Sequence, residues 1–203
     1  MWETMLRSGK LIPQSFYRRD VDLVARELLG QLLVRDEVVL RITEVEAYGG
    51  PEDSASHVRH GRTDRNGIMW GKGGHAYLYL CYGLHWMLNV VTGEEGQGAA
   101  VLIRACEPVA GMDTLLARRM MTTIKPALLA GPGRAAQGLN LDKVFNGEAL
   151  FRKGGLELRE GERPHAILMG PRVGISFASQ EDQQALRRYA VAGTPWISAP
   201  KLG

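Results

Sequence analysis

The clearest periodic signal near the start of the chain is helical. Val21, Val24, Ala25, Leu28 and Leu29 recur at spacings of three and four behind Asp20, and Gly30 follows. That order predicts a helix with a capping residue, one apolar face and a C-terminal stop. Strand signals come next in QLLV and VVLRITEVEAY, then in AYLYLCYGLHWMLNVVT, two β-rich runs pinched at Tyr82-Gly83, and then in AAVLIRACEP. The later half reads as a helix at about 109 to 121, a proline-initiated helix near Pro132, short strands at about 155 to 159 and 167 to 177, and a helix near 180 to 189. Without regular βαβ alternation the class is α+β, with a mixed sheet built from hairpins.

Composition narrows the picture. A chain of 203 residues with 45% hydrophobic and 23% charged positions suits one globular domain spanning 1–203, and it excludes disorder, collagen and coiled coil as readings of the whole. No apolar run approaches the roughly 18 residues of a membrane span, and the N-terminal MWETMLRSGK lacks the apolar segment of a signal peptide. A cytoplasmic location is therefore expected. The two cysteines, Cys81 and Cys106, form no CxxC, which argues against a disulfide framework and a thiolate zinc site. The net charge of +3 is mild, but RHGRTDRNGIMWGK gathers Arg59, Arg62, Arg65 and Lys72 against a single acid, Asp64. That stretch is a candidate phosphate-facing edge.

Two anomalies suggest chemistry. Period-two alternation puts Val38, Leu40, Ile42, Glu44, Glu46 and Tyr48 on one face of a strand, so two carboxylates share a side with apolar residues. Acids turned toward a core must be paired, hydrogen-bonded or protonated. The competing reading is that the strand ends or bulges near Glu44 and leaves both acids in water, and spacing cannot choose between Glu44 and Glu46 as a base. The second anomaly is aromatic: Tyr77 and Tyr79 share a strand face and Tyr82 sits at the hairpin pinch beside the basic loop, which reads either as cross-strand packing with one exposed turn tyrosine or as a turn aromatic able to wedge between stacked bases. His57, His60 and His75 match no familiar zinc spacing, and WGKGGH lacks the order of a phosphate loop. Arg104 is a lone cation in an apolar strand, with Glu107 as a candidate partner.

These residues fall within motifs that resemble the alkyladenine (3-methyladenine) DNA glycosylase family of animals and bacteria. The strongest blocks are RITEVEAYGGPEDSASH at 41–57, RNGIMWGKGGHAYLYLCYGLHWMLN at 65–89 and VLIRACEP at 101–108; AGPGRAAQGLNL, PRVGIS and GTPWIS are weaker, and the collinear match covers about 15–198. The resemblance implies a curved, mostly antiparallel sheet with flanking helices and a protruding hairpin. It also implies a monofunctional glycosylase that needs neither metal nor cofactor, acting as a monomer on double-stranded DNA with alkylated or deaminated purines. Glu46 is then similar to the base that activates water, Tyr48, His57 and Tyr79 to the walls of a flipped-base pocket, and Tyr82 to the wedge. Asn89 resembles the discriminator against the 2-amino group of guanine, and Arg104 a contact to the flipped nucleotide. Glu44 and Tyr77 are expected to support them, Met69 to touch the groove beside the wedge, and Arg134 to contact phosphate. Gly71 and Gly73 predict a looser loop than the family pattern. The alternatives are a non-catalytic module that binds damaged DNA on the same aromatic platform, and a metal-dependent small-molecule hydrolase.

Overall fold

The computed structural model describes residues 9–202; the MWETMLRS stretch weighed above for a signal peptide lies outside them. A short helix α1 (Gln14–Tyr17) precedes α2 (Val21–Leu28), where Asp20 accepts hydrogen bonds from the amides of Asp22 and Leu23, both at 3.0 Å. Such a cap contributes about 0.5–2 kcal/mol. The chain turns at Gly30 with φ +86°, where an added Cβ would lie 2.0 Å from the Glu162 carbonyl oxygen, so the stop depends on glycine for both torsion and space.

Among the described residues eight strands form one curled sheet: β1 (Leu32–Arg35), β2 (Val38–Tyr48), β3 (Ala76–Cys81), β4 (His85–Thr92), β5 (Ala99–Ala110), β6 (Glu157–Arg159), β7 (Ile167–Gly170) and β8 (Arg188–Val191). The order is β3-β4-β5-β2-β1-β6, with β8 joining β2 and β7 joining β8, and every pairing is antiparallel. The α+β class and the curved antiparallel sheet are as expected, although the sheet contains no parallel pair to make it mixed. Helices α3 (Met112–Arg118), α4 (Pro132–Gly138) and α5 (Gln180–Gln184) complete the domain. The main core lies on one face of the sheet, where Val24, Leu28, Leu40, Ile42, Leu88, Val101 and Ile103 pack with Leu115, Ala136 and Leu139. The candidate site residues project from the other face.

Three local expectations are corrected. The helix placed at 109–121 starts only at Met112, because β5 runs through Ala110 and Gly111 at φ +76° breaks it; a Cβ there would lie 2.8 Å from the Glu37 carbonyl oxygen. The helix placed at 180–189 ends at Gln184, and Arg188–Val191 instead pairs with Glu44–Glu46 of β2, an edge that local sequence could not show to be open. The strand placed at 167–177 ends at Gly170, and the residues after it form a loop over the sheet. The expected loosening at Gly73 is absent too. An added Cβ there would lie 2.5 Å from the Tyr17 carbonyl oxygen, so this glycine allows tight packing at the end of β3 away from the hairpin tip.

Candidate active site

Strand β2 carries both glutamates, and its irregular register determines where they point. Ile42 pairs with Cys106 and Glu44 with Ala105, leaving Thr43 as an extra residue; Val45 then pairs with Ile103, leaving Arg104 extra on β5. Each bulge shifts the alternation by one. Val38, Leu40 and Ile42 therefore share the main core with Val45 and Ala47, while Glu44, Glu46 and Tyr48 lie on the opposite face. The expectation that the acids share a face with the apolar residues is overturned by this bulge. The reading in which the bulge left them solvated fails as well, since both glutamates are 0% exposed.

Burial without water requires partners, and the two acids have different ones. Glu44 Oε1 accepts from Arg104 Nε at 2.9 Å, Arg188 Nε at 2.7 Å and Ser198 Oγ at 2.8 Å, and the Ser198 amide reaches Oε2. It is enclosed in an ion-pair network. Glu46 Oε1 accepts from the Val173 amide at 2.7 Å and lies 3.1 Å from Arg104 Nη1, while Oε2 accepts the Tyr48 hydroxyl at 2.8 Å. Two carboxylate oxygens offer about four lone-pair sites, so Oε2 keeps acceptor capacity for one more donor. Arg104 binds both acids. Burial lowers its proton affinity, but Glu46 and Glu44 more than offset that and hold it charged. Its suggested partner Glu107 instead pairs with Arg41 at 3.1 Å, the residue directly across the ladder.

A cleft of about 410 Å³ opens over this face, lined among others by Tyr48, His57, Tyr77, Tyr79, Asn89 and Arg104. His57 Nδ1 is 3.0 Å from the Tyr77 hydroxyl, and its ring meets Tyr79 edge-on with centroids 4.4 Å apart. Burial, then the charges of Arg65 and Arg59, push the His57 imidazole down from 6.5 to about 4, so it is neutral at physiological pH. Burial followed by the Glu46 charge raises the Tyr48 phenol well above its ordinary range, which keeps it a donor. Asn89 Nδ2 donates to the Tyr77 carbonyl at 3.1 Å and the Met87 carbonyl at 3.4 Å, which fixes its amide.

The depressed His57 value has a consequence for stability. Between about pH 4 and 6.5 the unfolded chain binds more protons at this residue than the folded one does, so its contribution is complete above 6.5 and is lost as pH falls toward 4. An NMR titration of the imidazole is expected to show a midpoint near 4. A midpoint at 6 or above, near the ordinary histidine value of about 6.5, would contradict the buried, cation-flanked placement.

At the rim, Tyr82 is 94% exposed at the tip of the β3–β4 hairpin, with φ +50° at Tyr82 and +70° at Gly83, and the Leu84 amide closes the turn on the Cys81 carbonyl at 3.0 Å. Leu84 beside it is also exposed. Arg62 and Lys72 face solvent, whereas Arg59 lies 4.9 Å from the Phe177 ring centroid and Arg65 lines the cleft, 5.6 Å from the Tyr79 centroid. Arg134 is exposed in a groove shared with Arg119 and His85. Met69 departs from its expected groove contact. It is buried in the cleft wall with Val58, Tyr77, Val91 and Ala100. His75 is engaged apart from His57, with Nδ1 2.9 Å from the Lys72 carbonyl oxygen.

Residue-by-residue reading did not single out Val173, Arg188, Ser198 or Phe177. Their only sequence signal was membership of, or nearness to, the PRVGIS and GTPWIS runs. All four reach the site from the last part of the chain, as the Val173–Glu46 separation of 127 positions illustrates.

The sequence profile of the family described as methylpurine-DNA glycosylase matches residues 15–195. The chain is 55% identical over 193 residues to a DNA-3-methyladenine glycosylase of Arabidopsis thaliana, covering 95% of this chain and 76% of that one. It is 57% identical over 188 residues to a Nitrosococcus oceani protein provisionally assigned as a 3-methyladenine DNA glycosylase, covering 93% of each. A Methanocella arvoryzae protein with the same provisional assignment is 38% identical over 183 residues, 88% of this chain and 92% of its own.

Proposed function

Since the chain belongs to the methylpurine-DNA glycosylase family, we propose that the buried carboxylate of Glu46 drives water-mediated release of a damaged purine flipped into the aromatic cleft. The enzyme is a DNA glycosylase acting in repair of damaged bases, a hydrolase of N-glycosyl bonds. The observation that carries the site reading is the pairing of the two acids. Glu44 already accepts four donors, two from arginines and two from Ser198, whereas Glu46 adjoins the cleft wall through Tyr48 and retains an open acceptor position.

A base inside a duplex cannot reach such a cleft, so the nucleotide must leave the stack at a cost of a few kcal/mol. Tyr82, held out at the hairpin tip, fills the gap. Alkylation at N3 or N7 makes the purine cationic, and the faces of Tyr48 and Tyr79 attract a cation by about 0.5–2 kcal/mol each. A neutral His57 adds stacking without charge repulsion. Asn89, fixed through its amide nitrogen, sets a steric limit that disfavours the 2-amino group of guanine. As the C1′–N bond breaks, its electron pair leaves with the base and positive charge develops on the sugar. Glu46 stabilises that charge and takes the proton from water as the new C1′–O bond forms. Arg104 holds Glu46 and keeps donor capacity toward the nucleotide. With water as the nucleophile the product is free base and an abasic site, with no lyase step. Arg59, Arg62, Arg65, Lys72 and Arg134 supply phosphate contacts, so affinity falls with salt.

The test incubates metal-free protein with duplexes carrying hypoxanthine or an alkylated purine, then treats them with alkali. Strand cleavage only after alkali is the expected result. Tight lesion binding with no base released over long incubation would instead identify a binding module, and loss of activity with chelator a metal-dependent hydrolase. Tyr82→Ala is expected to slow excision from duplex by about five- to a hundred-fold, the equivalent of ~1–3 kcal/mol of base–aromatic stacking. An unchanged duplex rate would remove Tyr82 from the wedge role.

A further inference from the structure

The GGPEDSASH and PRVGIS runs each contain a charged residue that the chemistry above leaves unused, Asp53 and Arg172, and the fold joins them. The Arg172 side chain is fully buried. Its Nη1 donates to Asp53 Oδ2 at 2.6 Å and to the Ala47 carbonyl at 2.9 Å, and its Nη2 to Asp53 Oδ1 at 3.0 Å, a two-pronged pair of the strong kind. Asp182 lies farther off, with its carboxylate 3.7 Å from Nη2, and Arg187 Nη1 shares Asp53 Oδ2 at 3.3 Å. Asp53 also accepts from the amides of Gly49 at 2.8 Å and Ala55 at 3.0 Å, so the pair ties down the loop that leads to His57.

Two further contacts aim this pair at Glu46. The residue after Arg172 is Val173, whose amide binds Glu46 Oε1, and the Arg172 guanidinium lies 4.8 Å from the centroid of the Tyr48 ring, whose hydroxyl binds Glu46 Oε2. We propose that Arg172, anchored by Asp53, is a positioning residue for Glu46 that fixes both neutral donors to its carboxylate. It clamps the peptide that supplies one donor and backs the ring that supplies the other. A buried ion pair kept only for stability needs no planar cation, because well-packed apolar groups often serve as well. The guanidinium plane and its fork are what lysine lacks.

The inference rests on the glycosylase reading. Its test uses Arg172→Met and Arg172→Lys in single-turnover excision of hypoxanthine from duplex, with enzyme in saturating excess so that the rate constant reports bound, folded molecules. Thermal midpoint and lesion-duplex affinity are measured in parallel. By analogy with the 10–100-fold loss on removing a residue that orients a metal ligand, Arg172→Met is expected to lower the rate constant by about 10–100-fold while affinity stays within about threefold. Arg172→Lys keeps a charge opposite Asp53, so the thermal midpoint recovers while the rate constant stays low. A wild-type rate constant in either variant, whatever its thermal midpoint, overturns the proposal and leaves a structural ion pair. Equal loss of rate and lesion affinity overturns it too, because the pocket itself would have collapsed. If Arg172→Met does not fold, Arg172→Lys decides. Failure of the underlying reading looks different, since the wild-type protein would then release no base.

Discussion

Glu46→Gln is expected to slow base release by roughly 10²–10⁴-fold, the usual range for removing a positioned general base, while leaving lesion-duplex affinity nearly intact. The amide keeps the shape of the carboxylate and an oxygen to accept from Tyr48 or Val173, so the aromatic cleft stays formed. What it loses is the negative charge opposite the developing cation and the ability to take a proton from water. Single-turnover excision with hypoxanthine and 7-methylguanine duplexes, compared with direct binding, separates the two effects. Full activity in this variant would remove Glu46 from the chemistry, and equal loss of binding would assign it a structural role.

Glu44→Ala is expected to fail differently. The carboxylate is fully buried and serves Arg104, Arg188 and Ser198 together, so its removal leaves two buried guanidinium groups short of their counter-charge. Breaking one partner of a buried ion pair typically costs about 3–5 kcal/mol. For a chain of this size that corresponds to a fall in thermal midpoint of roughly 6–20 °C. Arg104 also reaches Glu46, so surviving folded protein is expected to lose excision as well. A thermal midpoint within about a degree of wild type would show that water or rearranged neighbours replace Glu44, contrary to the cost expected for an uncompensated buried charge. Folded but inactive protein from Glu46→Gln beside unstable protein from Glu44→Ala is the expected contrast, and it would separate a carboxylate that acts as a base from one that holds the fold together.

Much of the fold and of the candidate site was legible in local sequence. The helix behind Asp20 declared itself through its cap, its spacing of apolar residues and Gly30, all within eleven positions. Strands β2 to β5 carried β-branched and aromatic runs, and the positive torsions at Tyr82-Gly83 matched the pinch between β3 and β4. The cleft residues Tyr48, His57, Tyr79, Asn89 and Arg104 were all named from motifs, and the fold brings them together. Tyr82 was named with them and stands at the rim of the same cleft.

The tertiary structure decided the rest, because those features depend on partners distant in sequence. Strict alternation along β2 placed its glutamates with the core residues, and only pairing with β5 reveals the extra Thr43 that turns them to the cleft. A one-residue slip reverses every side chain after it, and no local pattern records where the partner strand bulges. Strand β8 was hidden for the same reason. Arg188–Val191 continues a polar, helix-compatible run, and becomes a strand because β2 offers an open edge and Glu44 a counter-charge. Charge partners followed the ladder as well: Glu107 pairs with Arg41 across from it, and Arg104 with the acids on the cleft face. The sequence determined which chemical groups the protein has and the elements that carry them. Register, bulges and long-range ion pairs determined which carboxylate is locked among arginines and Ser198 and which keeps an open acceptor position beside the cleft.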